Sequence, residues 1–181
     1  KYEFENYNNK SNPSLGLSFL LNYAFRIKTN NFNENHSAVT SKLHILFPLT
    51  YSDLVTMETS FYGKTMIGNG YHFYQAADLG SNTFLRGYRQ NRFVGRTAFA
   101  QSTNINFKIS DWNDGIIPLS YGGFVGYDYG RVWQDYEKSD KWHSSYGGGL
   151  WMNVIETITL KVNVFKSSED LMFTFGLGVG F

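Results

Sequence analysis

The stretch Leu15-Gly16-Leu17-Ser18-Phe19-Leu20-Leu21-Asn22-Tyr23-Ala24-Phe25-Arg26-Ile27 puts a large apolar side chain on every odd position. Gly16, Ser18, Asn22, Ala24 and Arg26 fill most of the even ones. Seven large apolar residues at period two (Leu15, Leu17, Phe19, Leu21, Tyr23, Phe25, Ile27) build one face of a β-strand. At helical period the same run would scatter its polar residues around the whole cylinder.

The same alternation recurs downstream. After the Asn30–Asn35 loop, Val39, Leu43, Ile45, Phe47 and Leu49 oppose Thr40, Lys42 and His44. Past a tight connection at Pro48, Tyr51 and Asp53, Val55, Met57, Thr59 and Phe61 oppose Thr56, Glu58, Ser60 and Lys64. Alternation then lapses from Thr65 to Arg92, a connection well beyond hairpin length. It resumes with Thr97, Phe99, Thr103, Ile105, Phe107 and Ile109, ending in a polar turn at Ser110–Gly115. A fifth strand sets Leu119, Tyr121, Val125, Tyr127 and Tyr129 against Ser120, Gly122, Gly126 and Asp128, with Phe124 the exception. A charged loop follows at Gln134–Lys141. The last three strands carry Trp142–Val154, Ile158–Val164 and Leu171–Phe181. The pattern predicts an all-β, antiparallel barrel of eight strands over 14–181, with 1–13 as a linker or the remnant of a preceding strand.

Composition narrows the class. Lys+Arg 16 against Asp+Glu 15 leaves almost no net charge, so nothing suggests an electrostatic footprint for nucleic acid. With 13 Tyr, 16 Phe, 18 Gly and only 3 Pro, strands joined by Gly/Asn turns are favoured. The absence of cysteine excludes disulfides and thiolate metal sites. No apolar run is long enough for a transmembrane helix, which leaves a membrane barrel open because its strands carry only an alternating signal. The chain starts at Lys1 without an initiator Met or signal-like run, and is expected to be a processed or partial product.

Two features favour a membrane barrel. The strands mostly reach the ~9–11 residues needed to cross a bilayer at a tilt. Their off-face residues are Gly, Ser, Thr, Asn, Lys, Glu and Asp, which suits a polar or small interior behind an apolar exterior. Tyr23, Phe25, Tyr121, Tyr127, Tyr129, Trp142 and Tyr146 fall near strand ends, where an interfacial girdle belongs. Connections after strands one, three, five and seven read as longer than those after two, four and six. The even strand count then places both termini on the short-turn, periplasmic side. A soluble sandwich or lipocalin-like barrel is the alternative, because alternation alone does not say which face meets solvent.

The long connection ends in Leu85-Arg86-Gly87-Tyr88-Arg89-Gln90-Asn91-Arg92-Phe93-Val94-Gly95. A charge removed from bulk water costs several kcal/mol unless matched, so an Arg86 folded into a lumen requires an acid. Asp128, on the small face of the fifth strand, is the expected partner, with Glu58 the second candidate. A guanidinium–carboxylate pair there can be bidentate. Gly87 is expected to let the backbone turn tightly. The alternative is that Arg86, Arg89 and Arg92 are solvated loop charges or lipid-headgroup contacts. Gly122, Gly126, Gly147, Gly149, Gly176, Gly178 and Gly180 would clear one wall for the loop, or relieve strain in a curved sheet.

Enzyme signatures are lacking. His36, His44, His72 and His143 have no ligand spacing, no G-x-S-x-G elbow occurs, and Asp111-Trp112-Asn113-Asp114 lacks the glutamate of a calcium loop. Neither a catalytic residue nor a metal or other cofactor is expected.

Phe84-Leu85-Arg86-Gly87-Tyr88 resembles the Val/Leu-Arg-Gly-Phe/Tyr signature of BamA/TamA-type outer-membrane assembly factors, the bacterial surface antigens of Gram-negative bacteria. Tyr74–Ser81 resembles the aromatic-to-Gly-Gly run before that signature, and Asp128-Tyr129-Gly130-Arg131-Val132-Trp133 the later Asp-x-Gly-x-Val-Trp strand. Phe173, Phe175, Leu177, Val179 and the terminal Phe181 resemble the C-terminal signal of outer-membrane barrels. The resemblance implies an outer-membrane barrel whose loop enters the lumen through Arg86, Gly87 and Tyr88. It also implies a role in inserting or translocating proteins, with lipid, unfolded outer-membrane proteins or other assembly subunits as partners. Only the equivalent of the family's last eight strands is present, without periplasmic domains. The chain is thus expected to be a fragment, to close with eight strands, or to pair with a second copy. A structural barrel anchoring a fused domain is the competing reading; a small-molecule pore is disfavoured by a loop-filled lumen.

Overall fold

A computed structural model describes residues 1–8, 13–27, 35–68, 71–112, 118–135, 140–155 and 158–179. Its strands are β1 (Tyr2–Tyr7), β2 (Gly16–Arg26), β3 (His36–Pro48), β4 (Val55–Ile67), β5 (Ala77–Leu79), β6 (Phe93–Gly95), β7 (Thr97–Trp112), β8 (Leu119–Trp133), β9 (His143–Val154), β10 (Ile158–Ser167) and β11 (Leu171–Val179). Nine form one antiparallel sheet in the order β1-β2-β3-β4-β7-β8-β9-β10-β11, and β5 pairs with β6 inside the long connection. Most of the Asn30–Asn35 loop and parts of the Ser110–Gly115 and Gln134–Lys141 connections lie outside the described residues.

The eight long alternating segments all form strands, but among the described residues the expected total is corrected to eleven. The first addition, β1, falls in the segment taken as a linker or strand remnant and pairs with the lower half of β2, Tyr7 opposite Gly16 and Tyr2 opposite Leu21. The others, β5 and β6, have three residues each, too few to leave a periodic signal. Nor is an eight-stranded closed barrel found: among the described residues no pairing joins β1 to β11, and the sheet is open. With nine antiparallel strands its two edges run in the same direction, so antiparallel self-closure is impossible. That also removes the even-count basis for placing both termini at one rim. The connection after β10 is short as well, residues 168–170, because β10 continues to Ser167 and absorbs what the sequence suggested was loop.

The open sheet is curled. His44 on β3 and Lys161 on β10 line one cavity of about 490 Å³ although four strands separate them. In a flat sheet they would stand roughly 24 Å apart, at ~4.8 Å per strand. The convex face carries the alternating apolar set: Leu17, Leu21, Tyr23, Phe25, Phe107, Tyr127, Phe173 and Phe175 at odd positions and Leu150 at an even one are all exposed. The concave face is polar or small, and the connection between β4 and β7 lies against it. The principal buried cluster comprises Tyr62, Ala98 and Ala100 from the sheet with Ala77, Leu79, Leu85 and Tyr88 from that connection. Thus the loop supplies half of the core.

Pairing of β1 is testable because the chain has no native cysteine. Glu5→Cys with Ser18→Cys, directly opposite in the ladder, is expected to form a disulfide under mild oxidation. Tyr2→Cys with Phe175→Cys, on the two open edges, is expected to stay reduced. The reverse pattern on gels would mean that β1 leaves β2 and the edges meet.

Candidate functional site

The stretch from Gly80 to Tyr88 is a compact double turn. Gly80 O accepts from the N–H groups of Thr83 (2.8 Å) and Leu85 (3.0 Å), and Leu85 O accepts from Tyr88 N–H at 3.1 Å. Phe84 adopts φ +61°, a conformation unusual for a bulky side chain, and stacks on Tyr62 of β4 with ring centroids 5.6 Å apart. This places Arg86 and Gly87 at the turn's corner, facing the concave wall.

The structure brings Arg86 onto Asp128, whose side chain is fully buried. Arg86 Nη2 donates to Asp128 Oδ1 at 2.6 Å, Arg86 Nε to Oδ2 at 3.0 Å, and the Arg86 backbone N–H to Oδ2 at 3.0 Å. Ser145 Oγ donates to the same carboxylate at 3.2 Å. Arg86 Nη2 also donates to Ser102 Oγ (3.0 Å) and Asn104 Oδ1 (2.7 Å), while the Phe165 ring lies 3.9 Å beneath the guanidinium carbon. Side-on bidentate pairing, three further polar partners and an aromatic face satisfy a buried charge well.

Strand register explains this convergence. Ser102, Asp128, Ser145 and Ser167 stand opposite one another across β7, β8, β9 and β10, and Asn104, Gly126, Gly147 and Phe165 form the next row. The Arg86–Asp128 pair, a lock between loop and wall, occupies the meeting of these two rows. A Cβ on Gly126 would sit 2.7 Å from Arg86 Nη2 and 3.0 Å from Phe165 Cζ, so that glycine makes room for the guanidinium. Gly147 and Gly149 instead accommodate Phe165 and Phe124, aromatics of the wall itself, and Gly122 accommodates Trp151. Gly176 and Gly178 meet nothing closer than 3.8 Å, and Gly180 lies outside the described residues.

Gly87 lies in the tight turn expected of it, closed by the Tyr88 N–H donating to Leu85 O, but glycine is required there for a different reason. It does not adopt positive φ; the unusual backbone is at Phe84. Glycine is needed because a Cβ would come within 2.6 Å of Ser145 Cβ and 3.1 Å of Ser167 Cβ. Tyr88, 2 % exposed, meets Phe93 edge-on at 5.0 Å. Glu58 is not a direct partner of Arg86. It accepts from Asn104 Nδ2 (3.2 Å) and Asn106 Nδ2 (3.4 Å), so Asn104 links it to the arginine. Phe173, Phe175 and Leu177 are exposed on the convex face at 70 %, 68 % and 63 %, Val179 ends β11, and Phe181 lies outside the described residues.

Ser102, Asn104, Ser145 and Phe165 were not singled out by sequence. Phe165 had one available signal: it is the aromatic among the inward Thr159, Lys161, Asn163 and Ser167 of its strand. Below the lock, the cavity of about 490 Å³ is lined by His44, Glu58, Lys108, Lys161 and Trp151. No group of His, Asp or Glu suited to a metal occurs among the described residues. No helix of the described chain is long and apolar enough to cross a membrane, which says nothing about crossing by strands. In comparisons with protein-family models and with curated proteins, nothing matches this chain.

Loss of either charge leaves the other buried, at a cost of about 3–5 kcal/mol. Arg86→Ala and Asp128→Ala are each expected to lower unfolding stability by that amount, and the double variant by clearly less than the sum. Additive losses would show that the two side chains do not interact. Gly87→Val is expected to expel the turn and expose 86–88 to protease while Arg86 and Asp128 are both intact.

Proposed function

We propose that this chain forms one wall of an outer-membrane β-barrel that acts in inserting or translocating proteins at that membrane. One observation carries the reading: the sheet's polarity is inverted. Its convex face is a broad field of exposed aliphatic and aromatic side chains, of a kind that a soluble monomer rarely shows. Its concave face buries an ion pair and the loop that provides it. Lipid is the solvent that suits such a convex face.

The open edges support the insertion role. Among the described residues no strand pairs with the outer edge of β11, which lies beside an apolar face and offers a template onto which an incoming strand adds by hydrogen bonding. Full antiparallel closure needs an odd number of further strands between β11 and β1, supplied from outside the described sheet. The locked loop fills the upper lumen, which disfavours free solute passage. An anchoring wall that tethers a fused domain is the second reading, sharing the inverted polarity but making no use of the edge.

Two measurements separate these readings. Folding is expected only with detergent or vesicles; a well-folded, soluble protein without them would end the membrane proposal. In vesicles, the protein is expected to raise the folding rate of an added unfolded outer-membrane barrel several-fold. Stable insertion with no acceleration would favour the anchor.

A further inference from the structure

Beyond Arg86 the loop climbs out of the trough and reaches the turn between β10 and β11. Tyr88 Oη donates to Ser144 O at 3.2 Å and lies 3.3 Å from Ser168 Oγ. Arg92 Nε donates to Glu169 Oε2 at 2.7 Å, and Arg89 Nη2 stands 3.9 Å from Asp170 Oδ2. The turn is stiffened by its own bonds. Ser167 Oγ accepts from the N–H groups of Glu169 and Asp170 at 3.1 Å each, and Ser167 N–H donates to Asp170 O at 3.0 Å. Among the described residues β10 is the sole sheet neighbour of β11, so this turn is the upper attachment of an open edge strand.

We propose that residues 86–92 are a strap that ties the free edge strand β11 to the ion pair in the trough, so that β11 loosens when Arg86 leaves Asp128. The strap has a deep end and a shallow end. At the deep end Arg86 is held by Asp128, Ser102 and Asn104, and Gly87 N–H donates to Ser145 Oγ at 3.2 Å. At the shallow end Arg89 and Arg92 are largely solvent-exposed, with side chains 80 % and 46 % accessible. An exposed pair alone shifts an opening equilibrium only a few-fold. Its grip on the turn is effective because the buried end has already ordered the loop, which spares the arginines most of the entropy of finding their acids. Release at the deep end therefore frees both. The strap is a property of the loop and the sheet, independent of what the barrel acts on.

Backbone amide exchange of the whole chain in detergent micelles tests this. The clasp variant Arg89→Gln, Arg92→Gln keeps Arg86 and Asp128 and is expected to speed exchange in Leu171–Phe175 about threefold to tenfold, leaving β2–β4 unchanged. Asp128→Asn is expected to speed exchange in both the loop and β11. Conversely, a disulfide between Arg92→Cys and Glu169→Cys, in a chain with no native cysteine, is expected to slow β11 exchange. If Asp128→Asn does not fold, the clasp and disulfide variants decide. Unchanged β11 exchange in them, or a change spread equally over β2–β4, would overturn the strap while leaving the insertion proposal to its own assay.

Discussion

A guanidinium cannot be withdrawn from water into a narrow polypeptide trough without a carboxylate waiting for it, and much of this structure meets that requirement. Asp128 is wholly inaccessible and the Arg86 side chain is mostly covered, at 18 % accessible. At that depth the Coulomb attraction offsets desolvation only when the remaining donors and lone pairs are also matched. Hence the small polar residues Ser102, Asn104 and Ser145 stand around the pair, and Phe165 lies flat beneath it. Gly126 carries no side chain because the guanidinium occupies that space. Partial satisfaction would be worse than an apolar plug, so the arrangement is all-or-none.

The inverted sheet makes the loop a structural necessity as well as a guest. A concave face of Ser, Asn, Gly and Asp cannot pack against itself to exclude water. Leu79, Leu85 and Tyr88 from the connection bring the apolar surface that Tyr62, Ala98 and Ala100 need opposite them. The upper trough is therefore solid. The lower trough, beyond the reach of the loop, stays hollow and is lined by charged and amide side chains. Asn104 sits at the boundary, accepting from Arg86 above and donating to Glu58 below.

Much of the fold was legible as periodicity. Strands of nine or more residues keep period two long enough to be read, and each of the eight that showed it is a strand here. Shorter elements leave little to read: β1, with six residues, was open to reading as a linker or a strand remnant, and β5 and β6, with three each, left no periodic signal. That omission had a topological consequence, because one additional edge strand changes the parity of the sheet and sets both edges running the same way. Of the site, Arg86 and Asp128 were legible as lone charges that burial would force together. Phe165, Ser145 and Asn104 were not, because their membership depends on which residues face one another across strands, and register is not written in the period of any single strand. Gly87 was noticed for the wrong cause: its constraint is a neighbour 2.6 Å away on β9, invisible along the chain.

By itself, the amino-acid order determined that the chain is built from amphipathic antiparallel strands, that one long segment is not, and that this segment carries an arginine in need of an acid. These are local facts, settled by side-chain alternation within a strand and by the cost of a bare charge. Only the tertiary structure decided that the sheet remains open, that its apolar face is convex, and that the loop contributes half of the core. It alone decided that Arg86 meets Asp128 directly and Glu58 only through Asn104. The reason is physical: closure, curvature and register arise from pairing between residues far apart in the chain. Alternation fixes the face on which a side chain lies, and long-range pairing selects the neighbours it finds there.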